Sequence, residues 1–182
     1  MKEVYTIFNE TNAPDGARAL LSRVRNQYGF VPNSLAEMAV SPQTLEAYLV
    51  LEDLVSRTSL TENERMIVML TASCANECSY CVPEVSATAR GHGLPDEVVS
   101  CIRNGTALEN EKLEILRCFT EKLIYKKGWE TDHDIQDFLT RGYTKRQMLE
   151  VVLLVSMKNI AIYCNHIMSP DLDEEFVSER WH

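Results

Sequence analysis

The sequence predicts an all-α fold, and three observations carry the prediction. Apolar residues recur at three- and four-residue spacing in almost every segment, no stretch alternates with the period of two that a half-buried strand needs, and capping residues precede one segment after another. The expected organisation is one domain over 1–182, with a core at roughly 29–168 and a C-terminal tail at 169–182.

The elements follow in order. Asp15 is placed to cap a helix that buries Ala17, Leu20, Leu21, Val24 and Tyr28 and stops at Gly29. Residues 29–33 read as a loop and 34–39 as a short helix. Ser41 caps the next helix, Pro42 takes its first position, and Leu45, Leu49, Leu51 and Leu54 supply the apolar face. Thr61 and Glu64 form a capping box, in which the Thr oxygen and the Glu carboxylate each satisfy an orphan amide. Met66, Ile67, Leu70 and Ala72 lead from that box to Cys74. A helix is expected at 79–90, because Pro83 is tolerated only in a first turn, and Gly91 and Gly93 end it. Further helices are expected at 96–103, 110–126, 132–141 and 144–167.

The chain also echoes itself. A shift of 83 residues lays 60–81 on 143–164 without a gap, with identity at Thr61/Thr144, Ser73/Ser156, Asn76/Asn159, Tyr80/Tyr163 and Cys81/Cys164 among others. This points to a duplicated helical hairpin. Ala161 stands opposite Cys78, so only the first copy carries a dithiol.

Composition removes several classes of function. The net charge of −9 and the absence of a basic run argue against a nucleic-acid or anionic-membrane partner. The most apolar run, 148–164, contains Glu150, Lys158 and Asn159 and reads as a buried helix, so no membrane span is expected. The first ten residues lack the apolar stretch of a signal peptide, and six cysteines without such a signal suggest a reducing, cytoplasmic setting.

Cys74, Cys78 and Cys81 are spaced C-x3-C-x2-C, which resembles the [4Fe–4S] loop of radical-SAM enzymes. A capped helix precedes them here, no strands follow and the Gly-rich segment is missing, which opposes that reading. Cys74 is explained as a small apolar residue at the end of a buried helix. A zinc site would need a second ligand pair, and Cys101, Cys118 and Cys164 are dispersed. No metal or cofactor is expected. Cys78 and Cys81 remain as a Cys-x-x-Cys pair at a helix start, where free amides favour a thiolate.

The stretch Asn76–Cys81 followed by Ala87, Gly91, Gly93 and Leu94 resembles the active-site region of AhpD-like alkylhydroperoxidases, of the carboxymuconolactone decarboxylase superfamily. Residues 29–33, Ser41 with Leu45, Gly142 to Thr144, 149–152, 165–167, Pro170 to Leu172, Phe176 and Trp181 resemble its peroxidase-related branch. The resemblance implies an AhpD-like helical subunit, assembled as a homotrimer or homohexamer. It would reduce a small or organic hydroperoxide with Cys78 and Cys81 and be recycled by a dithiol or protein reductant. Cys81 is then the expected attacking thiol, since the family's histidine serves it from one turn later.

Two departures stand out. Where family members carry a relay Glu and His, this chain has Met66 and Val85, and neither accepts a proton. Replacements are sought in Glu84, one turn after Cys81, in His166 and in Glu64, which also has its capping role. Tyr80 between the cysteines would bond a thiolate or shape the pocket. Glu62 and Glu77 are further acids nearby, whereas His92, His133 and His182 carry little functional claim. The alternatives to a peroxidase are a thiol–disulfide oxidoreductase or redox sensor, and a non-enzymatic oligomeric protein.

Overall fold

The computed structural model describes residues 5–181. His182 lies outside them. The described residues form nine α-helices and one 3₁₀ helix with no strand: α1 (Ala17–Tyr28), α2 (Asn33–Met38), α3 (Pro42–Ser56), α4 (Glu62–Ala75), α5 (Cys81–Gly91), α6 (Asp96–Arg103), α7 (Glu111–Tyr125), α8 (Asp132–Thr140), α9 (Lys145–Met168) and a 3₁₀ turn (Glu174–Glu179). The all-α expectation holds.

α4 is the axis of the molecule. It packs against α5, α6, α7 and α9, while α2 and α3 cover another side of α9, α1 lies on α3, and α8 closes against α7. Its buried side chains, Met66, Ile67, Val68, Leu70 and Ala72, sit nearly all round the helix, which only a central helix can do. One contiguous apolar core runs from Ala13 to Ala161. Of the face expected on α3, Leu45 and Leu49 are buried, Leu51 is half-buried and Leu54 is exposed.

The caps at Ser41 and Thr61 form as read, and Thr144 caps α9 in the same way, each side-chain oxygen accepting an amide three residues on. Asp15 does not cap α1. Gly16 takes that position with φ 92°, a left-handed value that is cheap only for glycine, and the Asp15 carboxylate stays in solvent. α5 starts two residues later than expected, because Ser79 and Tyr80 remain in the turn.

The internal echo is carried by α4 and α9, which start from matching capping boxes and then diverge. The first copy breaks after Ala75, whereas α9 runs on unbroken and folds as one helix rather than a hairpin. The break is a Schellman turn: the Glu77 amide donates to the Cys74 carbonyl and the Cys78 amide to that of Ser73, with Glu77 at φ 52°. Ile160 occupies the matching place in α9, and a β-branched residue cannot take that conformation cheaply.

α9 is long and apolar enough to cross a bilayer, but half of the relevant window is buried inside the fold. The tail is not free either. After α9 the chain turns back, and its 3₁₀ helix packs on α5.

Candidate active site

The Schellman turn delivers Cys78 to the foot of α5, and Cys81 is the first residue of that helix. The free Cys81 amide donates to the Cys78 sulfur at 3.2 Å. Both thiols are reduced and almost fully buried, at 1% and 0% exposure. They share a small cluster with Tyr80, Ile162 and Phe176, flanked by Phe30, Ala87 and Leu172. The returning tail therefore roofs the dithiol.

The pair divides its charge unequally. A hydrogen bond from the Cys81 thiol lowers the Cys78 pKa, burial opposes it, and the Cys81 amide, the Lys158 ammonium and the Tyr80 amide lower it further, to about 6. Burial pushes Cys81 well above its ordinary value, and its bond to Cys78 adds to this. Cys78 is therefore the thiolate and Cys81 the neutral donor, the reverse of the expected order. The helix start explains the difference, since its free amide reaches Cys78 rather than Cys81.

The positive charge comes from a residue that motif reading passed over. Lys158 of α9 is 1% exposed, and its Nζ donates to Glu84 Oε2 at 2.8 Å. Burial works against its ammonium, yet Glu84 and the two sulfurs outweigh that and raise its pKa. One turn pair further along α9, Asn165 Nδ2 donates to the Cys81 sulfur at 3.2 Å, and its Oδ1 is buried without a partner. Lys158 and Asn165 lie on the stripe of α9 that also buries Leu154, Ala161 and Ile162. A lysine and an asparagine on a core face are the signal that would have found them.

The other expected relay residues are placed differently. Glu84 is beside the thiols but is engaged by Lys158 rather than standing as a free base. His166 is exposed, and its neighbour Asn165 is the residue turned to the dithiol. Glu64 is spent on its capping box and an ion pair with Lys112 at 3.2 Å, so it is structural. The Tyr80 hydroxyl donates to Asp173 of the tail, not to a thiolate, while Asp173 also accepts the Asn33 amide at 3.0 Å. Tyr80 thus ties the roof down. Met66 and Val85 are buried and, with Lys158 and Glu84, line a cavity of about 410 Å³. Among the described residues no group of three His, Cys, Asp or Glu converges as a metal site.

This is an all-helical protein with a buried Cys-x-x-Cys at a helix start, charged by a lysine from a neighbouring helix. Residues 42–109 match the Carboxymuconolactone decarboxylase family. Three solved structures share the fold over nearly the whole chain. An alkylhydroperoxidase AhpD core, a peroxidase-related protein from Ralstonia eutropha JMP134, is 19% identical with a TM-score of 0.84, over 97% of this chain and 95% of that one. A peroxidase-related protein from Silicibacter sp. TM1040 is 15% identical with a TM-score of 0.80, over 97% and 95%. A variant of the debrominase Bmp8 in complex with 2,3,4-tribromopyrrole is 14% identical with a TM-score of 0.82, over 98% and 96%. No curated protein matches the sequence. The family match thus covers part of the chain, and the chain as a whole has the AhpD-like fold. Peroxidase-related proteins and a debrominase share that fold, so the fold by itself does not fix the reaction.

Proposed function

We propose that the protein is a thiol peroxidase that cycles Cys78 and Cys81 between dithiol and disulfide. The observation that carries the reading is Lys158, a buried cation acting on both sulfurs where the family's relay pair is replaced by Met66 and Val85. The hydrogen bonds from the Cys81 thiol and amide, together with the Lys158 charge, hold Cys78 as a thiolate, so no separate base is needed to deprotonate it.

The Cys78 thiolate attacks the terminal oxygen of a hydroperoxide. The O–O bond breaks, the alkoxide takes a proton from solvent, and Cys78 becomes a sulfenic acid. The Cys81 sulfur then attacks the Cys78 sulfur, the disulfide forms and hydroxide leaves with the Cys81 proton as water. Peroxide and dithiol are converted to alcohol, water and disulfide, and an external dithiol or protein reductant restores the pair by exchange. Asn165 orients Cys81 for the second step. The working form is a homotrimer or homohexamer, a reading supported by Leu149, Val152, Tyr163 and Ile167, which leave an exposed apolar stripe along α9.

The test is stopped-flow mixing of the reduced protein with cumene hydroperoxide, comparing Cys78→Ser and Cys81→Ser. Rapid loss of two thiols is expected, abolished by Cys78→Ser and stopped at one oxidised sulfur in Cys81→Ser. A rate no faster than that of a free thiol would sink the peroxidase reading. The second reading, a thiol–disulfide oxidoreductase, would then stand, favoured by the lost relay pair.

A further inference from the structure

The cavity of about 410 Å³ is within the size range of small-molecule sites (about 300–1,000 Å³), yet neither cysteine lines it. Its floor is buried and largely apolar, made by Tyr48, Val55, Met66, Val85 and Met157 with Lys158 at one side. Its mouth is polar. A site with an apolar floor and a polar rim fits a molecule with an apolar body and one polar head.

The charges at the wall say which head. Glu52 accepts from the Tyr28 hydroxyl and, at 2.9 Å, from the Gln27 amide. Glu62 pairs with His92 at 2.8 Å and Glu84 with Lys158 at 2.8 Å. Every carboxylate of the wall thus has a donor. Arg65 is different: half-buried in the same wall, it donates from Nη1 to the Leu60 carbonyl at 2.7 Å and has no carboxylate partner among the described residues. A guanidinium with its remaining N–H groups at the rim of an apolar cavity is a carboxylate receptor.

We propose that this cavity binds an amphipathic organic carboxylate, its head on Arg65 and its apolar body over Met66, Met69, Val85 and Met157. Met66 and Val85 then have a role of their own: at these positions the chain has apolar walls rather than a proton relay. The site does not depend on the reaction of the dithiol, and a failed peroxide assay leaves it standing.

The test titrates octanoate and 1-octanol into the reduced full chain by calorimetry, with the methionine methyl groups followed by NMR. Octanoate is expected to bind with a Kd below ~1 mM and at least ~10-fold more tightly than octanol. The methyl signals of Met66, Met69 and Met157 should shift, while those of Met38 and Met148 stay. Arg65→Gln should weaken octanoate ~10-fold without changing octanol, and Arg65→Lys should recover part of the loss. Equal binding of the two probes, binding unchanged in Arg65→Gln, shifts at other methionines, or no binding at all would each overturn the assignment.

Discussion

Replacing Lys158 with methionine removes the buried ammonium that faces both sulfurs while keeping the length of the side chain. An opposite charge within about 4–6 Å lowers the pKa of an acid by roughly 1–3 units. Three hydrogen bonds already act on Cys78, so the lower end applies, ~1 unit or ~1.4 kcal/mol. Cys78 then moves from about 6 to ~7, and near pH 6 its thiolate fraction falls from about one half to about one tenth. The alkylation rate by iodoacetamide at that pH should drop ~5-fold. Cys74 and Cys118 do not blur the measurement, since burial pushes Cys74 up to about 12 and Cys118 up to about 11. The single substitution also leaves the Glu84 carboxylate unpaired, and a lone partner of a buried ion pair is costly. The informative protein is therefore Lys158→Met with Glu84→Gln, which keeps the site neutral. If Cys78 in that double variant titrates within ~0.3 unit of the wild type, the assignment of Lys158 as the source of the thiolate is wrong.

The reduced protein should gain stability with pH. Cys78 is depressed to about 6 in the fold against ~8.5 in an unfolded chain. Its contribution is fully present above ~8.5 and is lost as pH falls toward ~6, an upper bound of ~3 kcal/mol. Urea unfolding in the presence of a phosphine reductant should show this slope in wild type and not in Cys78→Ser; a flat profile in both would refute it. Glu77 sits at φ 52° in the Schellman turn, a conformation that costs a non-glycine residue ~1 kcal/mol. Glu77→Gly should therefore raise the thermal midpoint by ~2–4 °C, read by calorimetry, and a lower midpoint would show that the turn is not strained.

Much of the fold was legible because it is written in local chemistry. The capping box at Thr61 and the Ser41–Pro42 start each need only a few neighbouring residues, and those elements form as read. The Asp15 cap failed because a glycine beside it takes the left-handed turn more cheaply. The dithiol itself was visible as a spacing, and its surroundings were not. Lys158 and Asn165 are 77 and 84 residues from Cys81, counting Lys158 to Cys81 as 158 − 81 and Asn165 to Cys81 as 165 − 81, and only the packing of α9 beside α5 joins them. His166 and Asn165 are adjacent in sequence, but helical rotation turns one to solvent and the other to a sulfur. Tyr80 lies between the cysteines in sequence. Its partner Asp173 belongs to a tail that has no periodic pattern to announce it.

The charge placed on Cys78 also sets the energy of the electrons the pair holds. A thiolate stabilised by the Cys81 thiol, by the Cys81 amide and by Lys158 lowers the free energy of the reduced form, whereas the disulfide has no charge to stabilise. With a pKa of about 6, the gain at pH 7 over an ordinary thiol is ~1.4 kcal/mol, which raises the reduction potential of the couple by ~30 mV. The hydrogen bonds and the buried lysine together make the disulfide a readier electron acceptor, and the resting protein is poised toward its reduced, reactive state.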